Sequence, residues 1–220
     1  MISPRVWPVC AVLALALALA GCHSPGAYTS ARPVATGAVF TGMALEPVVF
    51  LRNRKMTEVG PSATVLVRIG AHERVDIGLR FNGGTVGGDV KVAPYLGDRL
   101  AIAVLPGVRA GRGYWIHAPL LVSYDVTSWF RLIGTGGVAW SSKAYDSAGS
   151  TTMIAFEPIP VDTGAQPDGW HGRLGAGFEL HSSRGFGVIP EVTWLQATDR
   201  KAFSSVFLGL GITWGRVGFR

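Results

Sequence analysis

A histidine, two serines and a glutamate are the residues of this chain whose types could perform nucleophilic chemistry. His181, Ser182 and Ser183 are consecutive, and Glu191 follows them. A histidine can accept the proton of a serine hydroxyl, and a carboxylate can orient the imidazole ring. One hypothesis is therefore a hydrolase that uses His181, Ser183 and Glu191. A turn rich in serine and glycine explains the same residues without chemistry, and we assign no catalytic residue.

Two histidines and a glutamate raise the question of a metal site. His171, Glu179 and His181 fall on one face of a predicted strand. Because a strand rises about 3.3 Å per residue, the two histidines lie about 33 Å apart and cannot bind one ion. We therefore expect polar side chains there, with no metal and no cofactor.

The chain contains two cysteines, and both lie near its N-terminus. Arg5 is followed by an apolar stretch over residues 6–20, and small residues precede Cys22. This order of parts is typical of an export signal. Because Cys10 would be removed with the signal, Cys22 would be the one thiol left, and no disulfide could form within the chain.

Residues 19–22, Leu-Ala-Gly-Cys, resemble the lipobox of bacterial lipoproteins. The resemblance implies that residues 1–21 are a signal peptide and that Cys22 becomes the lipidated N-terminal residue. His23 stands where an aspartate would retain such a protein in the inner membrane, which implies passage to the outer membrane. An ordinary signal peptide with a chance cysteine is the alternative. Residues 22–39 are rich in Ser, Gly, Ala, Pro and Thr, and they predict a flexible tether.

The rest of the chain has apolar residues with a period of two, and not with the period of a helix. Leu174 and Phe178, for example, fall on one face of a strand, while Arg173 and Glu179 fall on the other. Only 15% of the residues are charged, yet no stretch after the signal reaches the ~18 apolar residues of a spanning helix. A closed β-barrel is the other structure that satisfies its backbone inside lipid.

These patterns predict an all-β fold for residues 40–220: an antiparallel, up-and-down, transmembrane-type β-barrel of about 8–10 strands. The longest connection, residues 142–168, would then lie at the outer end, and the turns at the inner end would be short. The architecture resembles small outer-membrane β-barrel proteins, although a soluble sheet or a calycin-like barrel would also alternate. We place strands at residues 41–52, 63–71, 75–82, 85–96, 99–106, 114–125, 129–141, 169–181, 186–197 and 203–214.

Charged residues of these strands recur at positions that would face the barrel interior. A barrel of about eight strands is just wide enough for side chains to fill, and an unpaired charge in a dry interior is costly. We therefore expect an ion-pair network that plugs the lumen, with a narrow polar path for small solutes as the alternative. The predicted network consists of Arg68, Asp76, Arg80, Lys91, Arg131, Arg173, Glu179 and Glu191.

The formal net charge of +6 reflects basic residues that gather in the predicted outer loops. Arg109, Arg112, Arg200 and Lys201 are candidate contacts to the phosphates of lipopolysaccharide, because Arg and Lys pair well with phosphate. Solvated loop charges are the simpler alternative. We expect no nucleic-acid partner in this compartment. The resemblances imply outer-membrane lipid, the barrel-assembly machinery and the lipoprotein-sorting machinery as partners.

The function predicted from the sequence is that of a non-enzymatic, lipid-anchored outer-membrane β-barrel with a structural or surface-interaction role. Two alternatives stay open. One is a barrel enzyme acting on envelope lipid, since His181, Ser183 and Glu191 resemble the His-x-Ser plus Glu arrangement of lipid A deacylases, although Arg184 stands where that family has Asn. The other is a lipoprotein barrel at the periplasmic face that binds a small apolar ligand.

Overall fold

The computed structural model describes residues 26–52, 55–82, 85–111, 113–142, 151–154, 157–160, 169–183, 185–198 and 203–215. These residues form strands and their connections. The strands are β1 (Val39–Arg52), β2 (Lys55–His72), β3 (Val75–Asn82), β4 (Thr85–Leu96), β5 (Leu100–Val104), β6 (Gly107–Ala110), β7 (Tyr114–Asp125), β8 (Phe130–Ser141), β9 (Thr151–Ile154), β10 (Glu157–Pro160), β11 (Gly169–His181), β12 (Phe186–Ala197) and β13 (Phe203–Gly215).

The strands close into an antiparallel barrel. Strands β1 to β4 pair in order, β7 pairs with β8, β8 pairs with β11, and β11 to β13 pair in order, while β1 pairs with β13 to close the ring. Strands β5 and β6 both pair with β4 on one side and with β7 on the other, so together they make one interrupted barrel strand. The break falls at Pro106, which has no N–H for the ladder. Within the described part of the chain the barrel therefore has ten strands, and the predicted all-β barrel fold is confirmed.

Three strand boundaries differ from those predicted. Strand β2 begins at Lys55 and not at residue 63, because its ladder with β1 continues from Ser62 to Lys55. Residues 107–110, predicted as loop, form β6. The long connection 142–168 contains the separate hairpin of β9 and β10. Pro47 in β1 is accommodated by a register shift between Glu46 and Val48, as expected of a proline within a sheet.

The two ends of the barrel have connections of different length. At one end, which we call the short-turn end, chain reversals occupy residues 73–74, 97–99 and 126–129, and a fourth joins Ser182 to Gly185. The opposite end, the long-loop end, includes the connection from Ser141 to Gly169. Strand β1 begins and strand β13 ends at the short-turn end, where Phe40 pairs with Gly215.

The outward face of the strands is apolar between two sets of aromatic side chains. Aliphatic residues such as Leu174, at 58% exposure, occupy the middle of this face. Exposed aromatics lie near the short-turn end at Tyr95, Tyr124, Trp129, Phe186 and Trp214, and near the long-loop end at Tyr114, Trp170 and Trp194. None of the described residues belongs to a helix long and apolar enough to cross a membrane.

Trp115 differs from the other aromatic residues near the strand ends. Its side chain is buried inside the barrel at 2% exposure. The reason is alternation: Tyr114 faces outward at 61% exposure, so the next side chain points inward.

Part of the flexible tether expected for residues 22–39 instead lies inside the barrel, while residues 22–25 lie outside the described residues. Residues 26–34, which we call the plug, are all buried. The segment is rich in small residues, and these let it fit within the lumen, whereas its composition had suggested a solvated linker. Residues 35–38 leave the lumen at the short-turn end, where Gly37 N donates to Gly70 O at 2.8 Å.

Candidate functional site: the filled lumen

A cluster of five charges lies on the inward faces of β2, β3 and β4. Arg68 Nη2 contacts Asp76 Oδ1 at 2.5 Å, and its Nη1 contacts Asp89 Oδ1 at 2.6 Å. Arg80 Nε contacts Asp89 Oδ2 at 3.1 Å, while Lys91 Nζ contacts Asp76 Oδ2 at 3.2 Å. Each carboxylate is thus shared by two cations, and each cation faces at least one carboxylate.

Gly78 makes room for this cluster. A Cβ atom at this position would lie 2.6 Å from both Arg68 Nη1 and Asp89 Oδ1. Since atoms cannot approach that closely, any side chain here would force the two groups apart. The absence of a side chain on the neighbouring strand allows the Arg68 guanidinium to cross toward Asp89.

Two further ion-pair groups line the wall on β7, β8, β11 and β12. Arg131 Nη1 contacts Glu179 Oε2 at 2.7 Å, and Arg131 Nε also contacts Asp125. Arg173 Nη2 lies 3.5 Å from Glu191 Oε1. A buried charge without a partner would cost several kcal/mol, and pairing across neighbouring strands avoids that cost.

Charged side chains of the wall bind the main chain of the plug at residues 26–28. Glu191 accepts hydrogen bonds from Ala27 N at 2.9 Å and Tyr28 N at 2.8 Å. Arg80 donates to Gly26 O at 2.7 Å and to Ala27 O at 2.6 Å. These contacts satisfy four main-chain groups of a segment that lies away from water.

Residues 29–34 of the plug, which lie nearer the short-turn end, are also bound by wall residues. Lys91 Nζ donates to Thr29 Oγ1 at 2.9 Å and to Arg32 O at 3.1 Å. Val34 N donates to Asp76 Oδ2 at 2.9 Å. Arg32 itself contacts Asp125 Oδ2 at 2.5 Å and donates to the carbonyls of Gly97 and Asp98 in a turn of the short-turn end.

An apolar cluster fills the lumen toward the long-loop end. Trp115 and Phe207 pack there with smaller residues, and all the members are almost fully buried. The Trp115 ring stacks on His171 with centroids 5.3 Å apart, and His171 Nε2 lies 2.9 Å from Ser141 Oγ. The other members of the cluster are Ala139, Leu195 and Ala197.

All eight residues predicted to face the lumen are buried inside the barrel. The prediction omitted other wall residues that the same alternation would have found: Asp89 shares a face with Lys91, and His117 shares one with Trp115. The charged or titratable residues inside the barrel that were not predicted there include Tyr28, Arg32, Glu46, Asp89, Arg109 and His117. His171, which the sequence pattern places on the same face as Glu179, is also buried. Arg32 had no such signal, because it belongs to a segment without strand periodicity.

Arg109 is not a surface residue. It lies on β6 with its side chain in the lumen, at 4% exposure, so its proposed contact with lipopolysaccharide is wrong. The predicted loop around it is a strand, and the alternation of that strand turns Arg109 inward. The other three candidate contacts, Arg112, Arg200 and Lys201, lie outside the described residues.

The candidate hydrolase residues are not brought together. His181 pairs with Gly187 near the short-turn end, and Ser182 caps the adjacent turn, where its Oγ accepts from Phe186 N at 3.3 Å. Glu191 lies about 13 Å further along β12, at 3.3 Å per residue, and its carboxylate is bound to the plug. Across the part of the chain that the structure describes, no group of three His, Cys, Asp or Glu side chains could hold a metal ion.

No protein-family model matches the chain, and no curated protein sequence matches it. Solved structures are similar to it at low sequence identity. The attachment invasion locus protein Ail of Yersinia pestis is 7% identical, with 82% of this chain and 99% of that one covered and a TM-score of 0.43. Neisserial surface protein A is 9% identical over 81% and 98%, with a TM-score of 0.44. An outer membrane channel from Pseudomonas putida F1 is 10% identical over 89% and 100%, with a TM-score of 0.49. The fold assignment rests on the strand pairing described above.

Proposed function

We propose that this chain is a non-enzymatic outer-membrane β-barrel, anchored in addition by a lipid at Cys22, with a structural or surface-interaction role. The observation that supports it most is the outward face of the barrel. This face is apolar on every side of the ring, from Leu79 on β3 to Leu174 on β11 and Leu210 on β13. Soluble proteins rarely expose apolar patches larger than a few hundred Å².

The filled interior supports the same proposal. In a soluble barrel the apolar side chains would turn inward and the charges outward, whereas here Arg68, Lys91 and Arg131 are fully buried and Leu210 is half-exposed. Aromatic residues flank the apolar zone at both ends, as the interfaces of a bilayer favour. The short-turn end would face the periplasm and the long-loop end the cell surface.

Membrane fractionation and heat-modifiable migration test the proposed placement together. We expect the protein to stay with the outer membrane after a carbonate wash and to migrate differently before and after boiling, because a folded barrel resists detergent at room temperature. Release by carbonate with no shift in migration would instead indicate a soluble barrel at the periplasmic face.

The lipid anchor is tested separately at Cys22. We expect metabolic labelling with a fatty acid in the intact chain and none in the Cys22→Ser variant. Equal amounts of folded barrel in the outer membrane for both would show that the lipid is dispensable for assembly. An unlabelled wild-type chain would mean that the Leu-Ala-Gly-Cys sequence ends an ordinary signal peptide.

A further inference from the structure

The lumen wall contains a slot shaped for one side chain of the plug. Gly209 and Gly211 face inward at the middle of β13, beside the ring of Tyr28. A Cβ on Gly209 would lie 1.7 Å from the Tyr28 hydroxyl oxygen, and one on Gly211 would lie 3.0 Å from its ring. The Tyr28 hydroxyl donates to the Glu46 carboxylate at the far side of the slot.

Tyr28 also has an unusual backbone conformation. Its φ of 45° lies in the left-handed region, which a bulky residue adopts only where the surroundings enforce it. The enforcement comes from Glu191, which accepts from Tyr28 N, and from the slot that holds the ring. The wall therefore fits this segment in particular.

Small wall residues on β4 and β5 also leave space for the plug. Ala27 and Ala31 of the plug pack against alanines on the inward faces of β4 and β5. Each of these positions is fully buried, so larger wall side chains would fill the space that the plug occupies. The wall alanines are Ala93, Ala101 and Ala103.

The barrel does not need the plug to close. The hydrogen-bonded ring runs from β1 to β8, continues from β11 to β13 and returns to β1, with no contribution from residues 26–34. A ten-stranded barrel is also wider than the eight-stranded kind that side chains alone can fill. Without the plug, the space of an extended peptide would remain inside it.

Four wall charges that hold the main chain and Thr29 of the plug, Glu191, Arg80, Lys91 and Asp76, each have a partner of opposite sign on the wall itself. Loss of the plug would leave these four paired, and Asp125, which loses Arg32, would still contact Arg131. Such a wall tolerates water in place of the plug. The other wall pairs that do not involve the plug are Arg68–Asp76, Arg68–Asp89, Arg80–Asp89, Lys91–Asp76, Arg131–Glu179 and Arg173–Glu191.

We propose that residues 26–34 are a displaceable plug, and that the barrel with an empty seat is a pore for small hydrophilic solutes that an extended peptide of this sequence recloses. The seat recognises the main chain of such a peptide through Glu191, Arg80 and Lys91, and its tyrosine through the slot at Gly209. This inference rests on the proposed placement of the barrel in a membrane.

Single-channel recording in planar bilayers tests the proposal with a chain that lacks residues 26–34. We expect this variant to conduct steadily, whereas the intact chain stays closed for most of the recording. Heat-modifiable migration of each preparation verifies that the barrel is folded. A folded deletion variant that conducts no better than the intact chain would overturn the proposal.

The substitution Gly209→Val provides a second test that keeps the full chain, and it decides the matter if the deletion variant does not fold. The added side chain fills the slot for Tyr28, so we expect seating of the plug to weaken by at least about tenfold and the pore to open more often. Gly134→Val is the matched control, since a Cβ at Gly134 on the outward face of β8 meets no atom within 4 Å. Equal, closed behaviour of the Gly209→Val and Gly134→Val variants would contradict a seat at Gly209.

A synthetic peptide with the sequence of residues 26–34 tests the recognition directly. Added to the deletion variant, it should block conduction, while a scrambled peptide of the same composition should not. In the deletion background Gly209→Val should weaken the block by about tenfold. A peptide without effect would refute the seat. If the intact chain fails to insert into membranes at all, then the proposed function is wrong and not only the gating.

Discussion

At the scale of single residues, Arg68 connects the buried charges on the inward faces of β2, β3 and β4. Arg68 is fully buried and bridges Asp76 and Asp89, and it fits only because Gly78 has no side chain. Removing one partner of a buried ion pair leaves an uncompensated charge, which costs more than the pair contributed. The stability of this part of the barrel therefore rests on charge balance in a dry space.

We expect Arg68→Met to lower the free energy of unfolding by about 3 kcal/mol, because Asp76 and Asp89 then face fewer cations in a buried site. Urea unfolding in lipid vesicles measures the change. Arg74→Met is the matched control: its guanidinium is exposed and donates to Pro94 O at 3.2 Å, so the change should stay within about 0.5 kcal/mol. Equal midpoints for the two variants would show that the Arg68 pairs contribute nothing.

At the scale of elements, period-two alternation explains what could be predicted from the sequence. It places charged residues such as Arg173 inside and apolar residues such as Leu174 outside, because successive side chains of a strand point to opposite faces of the sheet. It fails where the pattern is interrupted. Residues 55–62 were predicted as loop but belong to β2, and residues 107–110 were predicted as loop but form β6. The plug could not be predicted, because its composition is that of a linker and its partners come from distant strands.

The outward face of β13 predicts a depth-dependent response to charge. Leu210 lies in the middle of this strand and is half-exposed. In lipid, Leu210→Arg should cost about 2–4 kcal/mol, whereas Tyr95→Arg near the short-turn end should cost about 0–1 kcal/mol. Urea unfolding in vesicles gives both values. If the two substitutions cost the same, then the outward face is not in contact with a hydrocarbon layer.

At the scale of the whole molecule, the plug limits where a lipid on Cys22 can reach. The plug extends from the short-turn end, where Arg32 donates to the carbonyl of Gly97, to the middle of the barrel, where Arg80 donates to Gly26 O. Three residues separate Gly26 from Cys22, and an extended chain from one to the other spans at most about 14 Å. While the plug is seated, a lipid on Cys22 is therefore attached within about 14 Å of Gly26.

A thiol introduced by Ala27→Cys reports which state a molecule adopts. In the Cys22→Ser background we expect slow reaction with a water-soluble maleimide, because position 27 is fully buried in the plug. With Gly209→Val added we expect faster reaction, since the filled slot makes the plug leave its seat more often. Equal rates in the two backgrounds would contradict a plug that is seated at Gly209.

The accessibility of spin labels along β13 in reconstituted vesicles tests directly whether the apolar face contacts lipid and the opposite face lines a closed lumen. Labels at the outward positions Leu208 and Leu210 should collide with lipid-dissolved oxygen and be shielded from a water-soluble nickel complex, while labels at the inward positions Ser205 and Thr213, both buried, should be shielded from both. High nickel accessibility at Leu208 and Leu210 would contradict the claim, because it would mean that water and not lipid covers the outside of the barrel.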